Sequence, residues 1–171
     1  IDYDTTWPLS GSPYLVTGDV TVASNVRLTI DAGVVVKFEY QSNRENKRRL
    51  FVDGVLDLRS TAANPVVFTS SRDDQYGGDS NGDGDASSPS RGDWGYMRIS
   101  NSANVLHDCV IRYGGYYGYS DSSYPYTNHP FYYMVWCYYS SPDIRDCDIG
   151  ESYDRAVYYE QSPDSPLISN N

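Results

Sequence analysis

Long hydrophobic runs are missing from this chain of 171 residues. No apolar stretch approaches the ~18 residues of a membrane-spanning helix, which excludes one. No longer window repeats apolar residues at i, i+3, i+4 and i+7, so amphipathic helices are not expected. Histidine is scarce, with His107 and His129 alone. Neither Gly-x-Ser-x-Gly nor His-Glu-x-x-His occurs, so no hydrolase or zinc-protease motif is present. The three cysteines, Cys109, Cys137 and Cys147, form no Cys-x-x-Cys, so a zinc site is not indicated. No Asn-x-Ser/Thr acceptor exists for N-glycosylation. Positive charge is in deficit: 13 Lys and Arg stand against 23 Asp and Glu, a net charge of −10. A phosphate backbone is repelled by such a chain, so nucleic acid is disfavoured and cations are the expected charged partners. The chain opens on Ile1-Asp2-Tyr3-Asp4, without the basic start and apolar core of a secretory signal. It reads as cytosolic or as a mature piece whose signal has been removed.

Tyrosine is what the chain has in excess, 18 residues, and aromatics make up 15% of it. That much ring area argues against disorder. Short runs rich in β-branched residues recur between Gly, Pro, Asn, Asp and Ser. They include Val20–Val22, Val26–Ile30, Val34–Phe38, Leu50–Val52, Val55–Leu58 and Val66–Thr69. Later runs are Tyr96–Ile99, Val105–Arg112, Tyr132–Tyr139, Ile144–Ile149, Ala156–Tyr159 and Leu167–Ser169. Apolar and polar residues alternate in several, which buries one face.

An internal repeat organises these runs. Leu106-His-Asp-Cys-Val-Ile111 matches Ile144-Arg-Asp-Cys-Asp-Ile149 at an offset of 38 residues. Ser141-Pro-Asp-Ile-Arg-Asp-Cys147 matches Ser165-Pro-Leu-Ile-Ser-Asn-Asn171 at an offset of 24. A period near 24 made of short strands fits one coil of a parallel β-solenoid. The surplus in the longer period is an inserted loop, placed at 113–131 and rich in tyrosine. Cys109, Cys147 and Asn171 then stack on successive coils, ~4.8 Å apart. A Cys109–Cys147 disulfide is conceivable, though stacked Cβ atoms exceed the preferred ~3.8 Å.

Several segments resemble right-handed parallel β-helix domains of secreted and surface proteins from bacteria and archaea. They are Trp7 with Ser12–Val22, Leu28–Phe38, Val52–Leu56, Asn64–Ser70, Gly77–Gly84, Gly92–Gly95 and Ile111–Gly115. The resemblance implies an all-β, pectate-lyase-like parallel β-helix of about five to seven coils over residues 1–171, not pectate lyase activity. Residues 1–19 are expected to form an N-terminal cap, with Trp7, Pro8, Pro13 and Tyr14 over the first coil.

The strongest chemical motif is Asp79-Ser-Asn81-Gly-Asp83-Gly84-Asp85, within an acidic loop at 71–93. Oxygen side chains at positions 1, 3 and 5, with glycine at 6, form the first half of an EF-hand-type loop. Ser90 stands at position 12 instead of a bidentate Glu. Asp73, Asp74 and Asp93 are the candidates for the missing ligands, and Ca²⁺ is the expected ion. Without a cation the loop is an acidic, solvated segment. Arg91-Gly-Asp93 falls within the Gly-Asp-Trp motif and reads as structural.

Catalysis finds little support in two histidines and no catalytic motif, while the abundant acids leave two carboxylates at glycosidase spacing open. The expected function is a non-catalytic extracellular structural or adhesive module, a surface or filament subunit. The alternative is a carbohydrate-active β-helix, lyase or binding module, with cell-surface polysaccharide as partner. Tyr116, Tyr117, Tyr119, Tyr124 and Tyr126 are expected at an interface; stacking on sugar and ordinary packing are the other readings. The run Leu167-Ile168-Ser169 stops in mid-repeat. It is expected to meet either further coils or another copy, head to tail.

Overall fold

The computed structural model describes residues 1–116, 132–161, 168–169 and 171. Among these described residues, sixteen strands lie in three parallel sheets. The first sheet stacks β1 (Thr5–Trp7), β4 (Arg27–Ile30), β7 (Val55–Leu58), β10 (Val105–His107), β13 (Asp143–Arg145) and β16 (Ile168–Ser169). The second stacks β2 (Tyr14–Val16), β5 (Val35–Phe38), β8 (Val66–Ser70), β11 (Cys109–Arg112) and β14 (Asp148–Gly150). The third stacks β3 (Val20–Val22), β6 (Leu50–Val52), β9 (Met97–Ile99), β12 (Tyr133–Tyr138) and β15 (Arg155–Glu160). Each coil visits the three sheets in turn, and every third strand lies on the one before. This is a right-handed parallel β-helix. Helical turns among the described residues are two three-residue 3₁₀ segments, Leu9–Gly11 and Arg44–Asn46.

Alternating residues point inward and form ladders along the axis. One runs Tyr14–Val36–Phe68–Ile111–Ile149 through the second sheet. Another runs Val22–Val52–Ile99–Cys137–Tyr159 through the third. In the first sheet Trp7 meets Ile30 and Ile30 meets Leu58, while Leu106 meets Ile144 and Ile144 meets Ile168. Val22, Ile30, Val36, Phe38, Phe68, Ile99, Leu106 and Ile111 are fully buried in one continuous core. Each such side chain contributes ~1.5–3 kcal/mol of apolar burial.

The repeat at an offset of 38 appears as strand register: Leu106 pairs with Ile144 and Ile111 with Ile149. Two runs that read as single strands are broken at corners. Asp108 (φ 46°) separates β10 from β11, and Asp146 (φ 54°) separates β13 from β14. Asp tolerates the left-handed region because its short side chain bonds locally. The repeated Asp before Cys is thus the bend between two sheets.

Residues 1–19, expected as a cap, carry strands β1 and β2 of the first coil. Trp7 stacks on Tyr14 with centroids 4.9 Å apart. Neighbouring coils approach closely at Gly54, where a Cβ would lie 2.3 Å from the carbonyl oxygens of Ala23 and Val26. Beside it, buried Asn104 accepts from the Leu56 N–H at 2.7 Å and donates to the carbonyls of Gly54 (3.1 Å) and Asn101 (2.9 Å).

Candidate metal centre

The acidic loop leaves the second sheet after β8 and returns to the third at β9. Its base is fixed first. Thr69 donates to Asp73 at 2.6 Å, and Ser70 donates to Asp93 at 2.7 Å. Asp93 also accepts from the Ser90 N–H at 3.1 Å and faces Arg72 at 3.5 Å. Both acids are buried, each 3% exposed. Trp94 then enters the core and stacks on Phe38 with centroids 4.2 Å apart. The Arg91-Gly-Asp93 tripeptide is part of this return path. Gly92 (φ 80°) lies so close to Tyr116 and Tyr153 that a Cβ would sit 3.0 Å from each.

Above this base the loop winds around Asp79. Its carboxylate accepts from the backbone N–H groups of Gly82 (2.7 Å), Gly84 (2.9 Å) and Asp83 (3.3 Å). Gly82 and Gly84 take φ of 73° and 62°, which turns those amides inward. The amides, led by that of Gly84, hold the Asp79 carboxyl below its ordinary pKa. Asp83 accepts from Asn81 at 2.9 Å and from Ser87 at 2.6 Å. The carboxylates of Asp74, Asp79 and Asp83 offer oxygens that all lie within 4.8 Å of one another. An ion with oxygen ligands at ~2.4 Å spans up to twice that distance, so three such oxygens can share one Ca²⁺. Asp74 Oδ1 is buried and has no hydrogen-bond partner among the described residues.

Of the seven candidate ligands, the structure brings Asp74, Asp79 and Asp83 together. Asp73 and Asp93 have the other partners just described and serve the loop's base. Asn81 turns its amide nitrogen, not its oxygen, toward Asp83 and Ser87. Asp85 is exposed and outside the cluster of three.

Lys37 is the residue that sequence reasoning missed. It is fully buried in β5, and its Nζ donates to the carbonyl of Gly78. Burial pushes its pKa down, and the charges of Asp74, Asp73 and Asp79 oppose that shift. Its ammonium is thus a built-in counter-charge under the cluster. The available signal was one lysine inside the apolar run Val34–Phe38.

Beside the loop lies a cleft of about 480 Å³, bordered by Leu15, Glu39, Tyr40, Arg72, Asn81 and Asp83. Arg72 stacks over the Tyr40 ring at 4.6 Å.

The expected interface residues fare differently. Tyr116 is 6% exposed and packs against Tyr132 and Tyr153 with centroids at 5.5 and 4.8 Å. Ile168 is 50% exposed on β16. Tyr117, Tyr119, Tyr124, Tyr126, Leu167 and His129 lie outside the described residues. His107 is held at both ring nitrogens, by Asp108 at 3.0 Å and the Leu58 carbonyl at 3.1 Å.

A family model described as a pectate-lyase-like beta helix domain matches residues 2–108. No curated protein and no solved structure matches the chain.

Proposed function

The chain belongs to the pectate-lyase-like β-helix domain family, and from that premise we propose that it is a non-catalytic, calcium-stabilised structural module of a secreted or surface protein. The observation that carries the calcium reading is the buried, unpartnered Asp74 Oδ1 beside two converging carboxylates. A desolvated carboxylate oxygen is costly without a donor or a cation. Asp74, Asp79 and Asp83 supply the anionic oxygens, with backbone carbonyls and water completing the six to eight ligands Ca²⁺ takes.

The structural reading rests on how the charged side chains are used. Arg27 on β4 pairs with Asp57 on β7 at 3.3 Å, and Arg98 on β9 with Asp53 at 2.9 Å. Arg49 pairs with Asp19 at 2.5 Å, and Arg112 with Asp148. Each pair joins one coil to the next. Individually such surface pairs contribute ~0–1 kcal/mol. Their common role is to align coils.

Melting the full chain in chelator and then in excess calcium tests the ion. Calcium at a hundredfold excess over Kd stabilises the native state by about 2.7 kcal/mol, or roughly 5–11 °C for a domain of this size. Asp83→Ala removes most of that gain. Equal midpoints with and without calcium overturn the calcium reading.

End-to-end association is the second part of the proposal. Ile168 continues the ladder from Leu106 and Ile144 with half its surface exposed, and a coil from a second copy covers it. Such a heterologous contact builds filaments. Sedimentation of the native protein and of Ile168→Asp tests it: the parent assembles and the variant does not. A monodisperse parent at high concentration overturns it.

A carbohydrate-active reading is favoured by one observation, the cleft with Tyr40, Glu39 and Arg72 beside the loop. Titration with cell-surface polysaccharide, repeated on Tyr40→Ala, distinguishes it. Saturable binding lost in the variant selects this reading over the purely structural one.

A further inference from the structure

Cys109 begins β11, and Cys147 immediately precedes β14. Val110 pairs with Asp148 and Ile111 with Ile149, so the cysteines are neighbours on successive coils. Strand spacing of ~4.8 Å lies inside the Cα range of bridged cysteines, about 4.4–6.8 Å. The stacked Cβ positions argued against a bond at the level of sequence. The side chains remove that objection by leaning together: the two sulfurs are 3.1 Å apart. A further approach of about 1 Å reaches the S–S bond length of about 2.05 Å. The Asp108 and Asp146 corners set both cysteines at the same bend, which aims both side chains the same way.

The pair also has an approach route. Cys109 and Cys147 border a cleft of about 480 Å³ with Ala62, Pro65, Asp108 and Asp146 on its walls. All three cysteines are buried (Cys109 1%, Cys147 3% and Cys137 0% exposed), but Cys137 lies in the third sheet, facing Tyr159 in register, and does not border that cleft. Burial pushes its thiol up to about 12, which keeps it unreactive at neutral pH.

We propose that Cys109 and Cys147 close into a cross-coil disulfide that pins β14 to β11. The oxidant is a small-molecule disulfide entering by the cleft. The Cys147 thiolate attacks one of its sulfurs, breaks the S–S bond and releases one thiolate, leaving a mixed disulfide on Cys147. Cys109 loses its proton and attacks Cys147 Sγ, forming the protein disulfide and releasing the second thiolate. Two electrons pass to the reagent, which leaves as two thiols carrying the two protons. The order of attack follows the hydrogen bond between the thiols. Either sulfur can donate in that 3.1 Å contact; it holds the Cys147 thiol down and the Cys109 thiol up.

The bond closes a loop across 38 residues. Chain entropy then shifts the unfolding equilibrium by roughly 10²–10³-fold. Acidic walls make cystamine, a cationic disulfide, the suitable probe.

The test uses the full chain, reduced and then incubated with cystamine at neutral pH. Denaturing, labelling with N-ethylmaleimide and weighing the product counts the free thiols. One label, on Cys137, together with a linked peptide pair containing Cys109 and Cys147, is the expected result. Three labels, retained cysteamine adducts, or a bond involving Cys137 overturns the proposal. Oxidised protein melts above its dithiothreitol-treated form, and Cys147→Ser abolishes that difference. Should Cys147→Ser fail to fold, thiol counting on the parent chain decides the matter alone.

Discussion

Replacing Asn104 by alanine probes how neighbouring coils are joined where no strand ladder does it. Val55 donates its N–H to Val26 on the preceding coil at 2.8 Å, so the next N–H, that of Leu56, faces the following coil. There it meets Asn104 Oδ1 at 2.7 Å. Alanine leaves this buried N–H without its acceptor, a cost of about 1–3 kcal/mol. It also removes the bond from Asn104 to the Asn101 carbonyl, about 0.5–1.5 kcal/mol. Gly54 keeps a donor, because Asn101 reaches the same carbonyl at 3.2 Å. The sum is about 2–4 kcal/mol, or a fall in Tm of roughly 5–15 °C for a chain of this length. Thermal melting followed by tryptophan fluorescence reads it. Asn101→Ala is the comparator: Asn104 still serves Gly54 there, and the Ala103 N–H that Asn101 accepts at 2.9 Å is exposed and passes to water, so the loss is about 1 kcal/mol. An Asn104→Ala protein melting within about 2 °C of the parent would refute this reasoning, as would equal damage from Asn101→Ala.

Lys37→Met removes the ammonium that stands in for a cation beneath the acidic loop. Its expected effect is several-fold tighter calcium binding and a larger calcium-dependent rise in Tm, read by calorimetry and melting; unchanged affinity counts against a counter-charge role. Acid stability carries the signature of Asp79. Its folded pKa lies below the unfolded value of about 3.9, so its contribution is complete above that pH and is lost as pH falls through the folded value. Asp79→Asn flattens the acid limb of the calcium-free Tm–pH curve, and identical limbs in parent and variant contradict the assignment.

Much of the fold was legible because a β-helix repeats its own chemistry. The match of Leu106–Ile111 with Ile144–Ile149 is strand register itself, and the Cys147–Asn171 offset returns as a hydrogen bond from the Cys147 N–H to Asn171 at 2.8 Å. The corners were less visible. Asp108 and Asp146 sit inside runs that alternate like one strand, and only their positive φ shows that the chain turns there. Strands β1 and β2 were hidden because Trp7 and Tyr14 lie among prolines that read as a cap.

The acidic loop announced itself by composition, but its inner arrangement did not. Spacing cannot tell Asp74, which converges on Asp79 and Asp83, from Asp73, which turns to Thr69. Nor can it place Lys37, whose neighbour in the cluster lies some 40 residues along the chain, with Gly78 as the bonded partner at a separation of 41.

The central claim is that Asp74, Asp79 and Asp83 share one calcium ion. A crystal structure of the full chain grown in calcium, with anomalous scattering recorded at long wavelength, tests it most directly. The account predicts an anomalous peak with carboxylate oxygens of all three residues at about 2.3–2.6 Å. A well-ordered loop with no peak there, and Asp74 Oδ1 bonded instead to Lys37 or water, would contradict it.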